Sequence, residues 1–133
     1  MNKTRKTIRV VAAIIRDGDR ILAAQRGYGT FKGGWEFPGG KIEEGELPTQ
    51  ALIRELREEM DLSVDVGECL YTIEYDYPDF HLSMQCFHCT PRSGEFSLKE
   101  HLAVKWLARE TIDSVSWLPA DVELIKWLKE NWL

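Results

Sequence analysis

Long apolar runs are missing from this chain. The longest, residues 10–15, has six residues, against the roughly 20 needed to cross a bilayer, and it is too short for a signal-peptide core even behind the basic Lys3, Arg5, Lys6 and Arg9. No membrane partner is expected, and the cytosol is the default address. Positive charge is also scarce: 17 Lys and Arg against 22 Asp and Glu leave a net charge of −5 and a pI near 5.2. A protein that wraps a nucleic-acid polymer through counterion release needs the opposite balance. A small phosphorylated molecule remains compatible, provided a divalent cation supplies the missing positive charge. Only three cysteines occur, Cys69, Cys86 and Cys89. The last two have a CxxC spacing, but in an alternating strand a separation of three sends them to opposite faces, so all three are read as reduced, partly buried thiols. The glycines of residues 27–34 lack the GxGxxG order of a dinucleotide loop, which leaves a loop beside a ligand site or a plain surface connection. Repeats, low-complexity tracts and linkers are missing too, so 133 residues are expected to form one domain, 1–133.

What is present alternates between strand and helix signals. Residues 8–16 and 20–26 flank the turn Asp17-Gly18-Asp19 and read as a hairpin. Trp35-Glu36-Phe37 is a short extended piece, broken by Pro38-Gly39-Gly40. A helix is expected from Pro48, with Leu47 as a poor N-cap that Gln50 completes from the N3 position. Residues 64–76 and 80–90 make a long hairpin across Tyr77-Pro78-Asp79, ended by Pro91-Arg92-Ser93-Gly94. Residues 103–107 form another strand, and residues 119–132 a closing helix with Val122, Ile125, Leu128 and Trp132 on one face. The class is α+β.

The segment GKIEEGELPTQALIRELREEMDL, from Gly40 to Leu62, constrains function most. At about 100° per residue Glu55, Glu58 and Glu59 share one exposed arc roughly 100° wide, while Leu52, Ile53, Leu56 and Met60 share another. Like charges so placed repel by a few tenths of a kcal/mol per pair. A cation among them turns repulsion into coordination, and hard oxygen donors suit Mg²⁺ or Mn²⁺.

Gly40, Glu46, Arg54, Glu55, Leu56, Glu58, Glu59 and Leu62 fit the pattern G-x5-E-x7-R-E-U-x-E-E-x-G-U, with U a bulky aliphatic, and this resembles the Nudix box. Asp61 stands where the motif has its second glycine. That glycine ends the helix in a left-handed conformation, which aspartate visits more readily than most residues. Resemblance to the MutT and CTP-pyrophosphohydrolase branch continues in Trp35-Glu36-Phe37-Pro38-Gly39-Gly40-Lys41, Tyr77-Pro78-Asp79 and Trp117-Leu118-Pro119-Ala120-Asp121. It thus spans nearly the whole chain.

The resemblance implies an α/β/α sandwich with a mixed central sheet, and Mg²⁺-dependent hydrolysis of nucleoside triphosphates to monophosphate and pyrophosphate. It implies nucleotide-pool sanitation of the 8-oxo-dGTP diphosphatase kind, with CTP or dCTP hydrolysis, damaged pyrimidines included, as the alternative. A nucleotide-binding module that does not cleave is the alternative of another class, and the intact Glu55, Glu58 and Glu59 count against it. By resemblance Glu55, Glu58, Glu59, Glu100 and the Gly40 carbonyl hold metal, and Glu55, Glu58 and Glu100 are the candidates for the base that takes a proton from water. Arg54, grouped with them as catalytic, pairs with Glu46 and keeps helix and loop in register. Arg26 and Lys41 are placed to meet phosphate oxygens. Phe37, Phe80 and Trp35 are candidates for stacking on a base. Asp121 matches the base-reading position; ionised, it only accepts hydrogen bonds, which favours cytosine or guanine over uracil and thymine. A monomer or weak dimer is expected.

Overall fold

The computed structural model describes residues 6–133, so Lys3 and Arg5 of the basic N-terminus lie outside the described residues. Strand β1 (Lys6–Asp17) organises the rest. Its apolar run is buried on both sides, as a central strand requires. Val11, Ala13 and Ile15 pack on one face with Leu52, Leu56 and Met60 of α1 (Pro48–Met60), while Ala12 and Ile14 pack on the other with Leu124, Ile125 and Leu128 of α2 (Val122–Asn131). A mixed sheet between helices results, as the sequence predicts.

Around β1 the sheet forks. One edge pairs in parallel with β6 (Phe80–Pro91), which continues antiparallel to β5 (Val64–Asp76). The other edge pairs with two partners in turn: β4 (Gly39–Lys41) along Val10–Ala12, then β2 (Arg20–Arg26) at Arg16 and Asp17. Strand β2 also carries β3 (Trp35–Glu36) and β7 (His101–Leu107). The break expected at Pro38-Gly39-Gly40 is therefore shorter than the sequence implies: only Phe37 and Pro38 interrupt, and the glycines resume as β4 because they lie flat against Val11 and Ala12, where a Cβ on Gly39 would collide with the Val11 carbonyl.

Helix α1 starts as expected, with the Leu47 N–H donating to Gln50 Oε1 at 3.0 Å. It ends at Asp61, whose φ of 51° is the one positive value at a non-glycine among the described residues. The Asp61 N–H reaches back to the Arg57 carbonyl and the Leu62 N–H to the Leu56 carbonyl, which closes the helix end. Since the left-handed conformation costs a non-glycine residue about 1 kcal/mol, Asp61→Gly is expected to raise the stability by up to that amount. A urea midpoint lower than the parent's overturns this.

Two inward faces differ from the sequence reading. In α1, Ile53 is exposed and Glu59 is buried at 4% exposure, because Glu59 lies only about 20° from Leu52 on the helical wheel. In the closing segment a 3-10 turn, Pro119–Asp121, precedes α2, and Val122 faces solvent at 57% exposure. The inward stripe is Asp121, Leu124, Ile125 and Leu128, at the i, i+3, i+4, i+7 spacing of a core face. Cys86 and Cys89 are buried on opposite faces of the sheet as expected, whereas Cys69 is exposed beside a bulge in the β5–β6 register.

Candidate active site

The carboxylates of α1 lie in three different environments. Glu58 is exposed, the Glu55 side chain is mostly covered, and Glu59 is enclosed. Burial raises the pKa of Glu55, opposed by its hydrogen bond from Arg54. Burial acts more strongly on Glu59 and, with the nearby charges of Glu55, Glu100 and Glu36, pushes it up to about 9. The exposed acidic face expected from the sequence is in fact half interior. Gly40 of β4 meets this face edge-on, and a Cβ there would fall 2.3 Å from the Glu55 carboxyl carbon. Only glycine lets the backbone come so near.

Arg54 ties the segment together. Its Nε and Nη2 grip Glu46 in a two-point contact at 2.8 and 3.0 Å, its Nη1 donates to Glu55 at 2.9 Å and Glu58 at 3.3 Å, and its Nη2 also reaches the Lys41 carbonyl. Glu46, held by Arg54 and accepting from the Glu43 N–H, has its pKa drawn down to about 2. The pairing expected between Arg54 and Glu46 is present, and the guanidinium, which does not line the cleft, is occupied in holding helix to loop.

Glu100 arrives from another direction. The Ser97 and Lys99 N–H groups donate to the Met60 and Glu59 carbonyls, which lack partners inside the helix, so the loop before β7 docks on the last turn of α1. Gly27 backs it: a Cβ on Gly27 would lie 2.2 Å from the Glu100 carbonyl oxygen.

One cleft of about 640 Å³ receives Arg26, Phe37, Gly40, Lys41, Phe80, Glu55, Glu58, Glu100 and Asp121. Glu59 lies behind it, and Trp35 does not line it. Trp35 instead packs with Ala23 and Leu107 under the Lys105 ammonium, whereas Phe37, past the end of β3, turns to the cleft beside Glu36. Phe37 is seated on Trp117 at 4.8 Å between ring centroids, and Phe80 is stacked on Tyr77 at 5.0 Å. Tyr77, Phe31, Tyr28 and Glu36 also line the cleft and were not singled out by the sequence. Tyr28 and Phe31 belong to the glycine-rich loop, which is thereby a wall of the site rather than a plain connection. It is held by hydrogen bonds from the Arg26 N–H to the Gly34 carbonyl and the Gly33 N–H to the Arg26 carbonyl.

At the far end Asp121 is 4% exposed, and its Oδ1 has no partner. Burial, then the Glu36 charge, pushes its pKa up to about 8, with Arg26 opposing. Burial thus favours the neutral form, with one donor and one acceptor to offer, over the ionised acceptor expected from the sequence. Its place in the apolar stripe of α2 was the available signal for a buried acid.

The residues fit a divalent cation. Glu59 Oε1 is buried with no partner, Glu55 and Glu58 converge on one guanidinium, and Glu100 and the Gly40 backbone border the same cleft, all hard oxygen donors. Among the described residues no three acidic, histidine or cysteine side chains are already closed into a cage.

The sequence profile of the NUDIX domain matches residues 6–128. The chain is 37% identical over 122 residues to a CTP pyrophosphohydrolase of Escherichia coli, covering 91% of this chain and 90% of the relative. It is 40% identical over 100 residues to an 8-oxo-dGTP diphosphatase of Proteus vulgaris, covering 72% and 88%. Among solved structures, the E. coli ORF135 protein superimposes with a TM-score of 0.79 at 36% identity, over 92% of this chain and 88% of that one. A MutT protein from Methanosarcina mazei Go1, 23% identical, shares the fold with a TM-score of 0.84 over 99% and 100%. With its motif, its sheet and its acidic helix in agreement, the chain belongs to the Nudix family of hydrolases.

Proposed function

We propose that this chain is a pyrophosphohydrolase of nucleoside triphosphates that yields the monophosphate and pyrophosphate, uses Mg²⁺ or Mn²⁺, and favours oxidised guanine nucleotides such as 8-oxo-dGTP. The observation that carries the reading is a single cleft with the carboxylates of α1 at one end and aromatic rings around the buried Asp121 at the other. Glu55, Glu58, Glu59, Glu100 and the Gly40 carbonyl would hold the metal. When bound, the cation neutralises charge on the phosphoryl oxygens. Lys41 and Arg26 face the same oxygens from the cleft wall. A carboxylate among Glu55, Glu58 and Glu100 takes the proton of the attacking water as a new O–P bond forms and the bridging O–P bond breaks. Arg54 is a positioning residue here, since its hydrogen bonds go to Glu46, Glu55, Glu58 and the Lys41 carbonyl.

Phe37 and Phe80 stack the base, and neutral Asp121 meets its edge. A protonated carboxyl donates to a carbonyl such as O6 while accepting from a neighbouring N–H, which suits guanine and its oxidised form. CTP is the second reading, favoured by the identity to the E. coli CTP pyrophosphohydrolase over nearly its full length. Steady-state assays with Mg²⁺ and GTP, dGTP, 8-oxo-dGTP, CTP, dCTP and UTP separate the two by kcat/KM and products. No turnover with any of them sinks the enzyme reading. Asp121→Asn mimics the neutral acid, so it is expected to keep the parent's base ranking at pH 7. Above pH 8 the parent alone turns against uracil as Asp121 ionises. A variant whose ranking already differs at pH 7 overturns this pocket assignment.

A further inference from the structure

Behind the cleft the buried polar groups form a line. Arg26 Nε is 3.5 Å from Glu36 Oε1, Glu36 Oε2 is 3.4 Å from His101 Nε2, and the same nitrogen is 3.8 Å from Glu59 Oε2. The His101 side chain is 2% exposed, so it cannot serve as a surface cation. Neither His101 Nδ1 nor Glu59 Oε1 has a hydrogen-bond partner. Buried polar atoms are rarely left this way, and a cluster of them calls for a ligand or a role.

The backbone brings these residues together deliberately. The β2–β7 register shifts between Gln25 and Arg26, which sets Arg26 opposite His101, and β3 lies on β2 with Ala24 opposite Glu36. Bulges of this kind re-aim side chains beside functional sites. The docked loop before β7 fixes where His101 enters, because its Lys99 N–H is bonded to the carbonyl of Glu59 itself.

One imidazole nitrogen thus lies between two carboxylates, one from β3 and one from α1. His101 Nε2 faces Glu59 Oε2 at ion-pair distance, an oxygen that also accepts from the Gly39 N–H, and Glu36, the nearer carboxylate, fixes the ring from the other side. With Oε2 so occupied, Oε1 is the oxygen of Glu59 left for a cation. We infer that His101, oriented by Glu36, is a positioning residue that holds the Glu59 carboxylate in the rotamer needed for metal binding. The inference rests on the proposed role of Glu59 as a ligand.

Mn²⁺ binding to the nucleotide-free protein, followed by the electron paramagnetic resonance of free Mn²⁺, tests it without turnover. His101→Leu and His101→Gln both refill the buried site, but only glutamine restores an N–H donor near the Nε2 position. His101→Leu is expected to weaken Mn²⁺ binding about 10- to 100-fold, as removal of a ligand's orienting partner does, while His101→Gln stays close to the parent. Equal affinity of His101→Leu and parent, or equal loss in both variants, overturns the inference, since a purely structural role would not distinguish leucine from glutamine in this way. Glu59→Gln separates the underlying reading: parent-like affinity there removes Glu59 as a ligand, whereas a loss there with none in His101→Leu removes only the role of His101. Should His101→Leu fail to fold, Glu36→Gln takes its place, with weakened Mn²⁺ binding expected and parent-like affinity overturning the inference.

Discussion

Glu55→Gln is expected to lower kcat/KM for nucleoside triphosphate hydrolysis by about 10²- to 10⁴-fold, the range for losing a positioned general base or a charge that binds metal. Its stability in the absence of metal is expected to be no lower than the parent's. The two effects have one origin. Glu55 is mostly covered, its carboxyl sits against Gly40, and Glu58 and Glu100 place like charge around it. Burial and these neighbours disfavour its anion, opposed by Arg54. Glutamine keeps the shape and the oxygen that accepts from Arg54, and removes only the charge. Steady-state kinetics and a thermal melt in EDTA read both quantities. Turnover near the parent's would remove Glu55 from the proposed machinery.

Without metal, the protein is expected to lose stability as pH rises from 6 to 8. Glu59 goes from the usual carboxylate value of 4.5 to about 9 in the folded chain, and Asp121 from 3.8 to about 8. Between those limits the unfolded chain has released protons that the folded chain still holds, so unfolding is favoured by up to about 1.4 kcal/mol per group for each pH unit. The stabilisation is complete below about pH 4 and is exhausted only as pH passes 8 to 9. Across two units the pair contributes at most about 5 kcal/mol, on the order of 10–20 °C in Tm for a chain of this size. Added Mg²⁺ reverses the trend, because the carboxylates must be deprotonated to bind it and its stabilising effect grows with pH. Melts in EDTA and in Mg²⁺ at several pH values provide the measurement, and Glu59→Gln is expected to flatten the EDTA slope. A Tm in EDTA that is level or rising between pH 6 and 8 contradicts the assignment.

The fold was legible where one physical cause dominated. A six-residue apolar run with no helical period is what a strand covered on both faces requires, and β1 is that strand. Cys86 and Cys89 separated to opposite faces by simple alternation. The acidic arc of α1 follows from helical geometry and its burial does not, because Glu59 lies at the border of the apolar arc, beside Leu52, where the loop before β7 docks. At the closing helix the apolar character of Val122 points inward while the period places Asp121 there, and the period prevails. Where an acid occupies a place that the period reserves for an aliphatic side chain, the misfit itself marks the site. The meeting of Glu36 and His101 is not legible in the sequence for a related reason: it depends on the register shift between Gln25 and Arg26, which leaves no local mark.

The fork of β1 has a consequence for how this protein can change. The carboxylate helix packs on the face carrying Val11, Ala13 and Ile15, while Asp121 enters with α2 on the face carrying Ala12 and Ile14. The carboxylate helix and the segment carrying Asp121 thus pack on opposite faces of β1 and meet across one cleft, where Glu36 lies near both Glu59 and Asp121. Substitutions on the inward face of α2 are therefore separated from α1 by the whole thickness of the sheet, and the two ends of the cleft are free to vary at different positions of the chain.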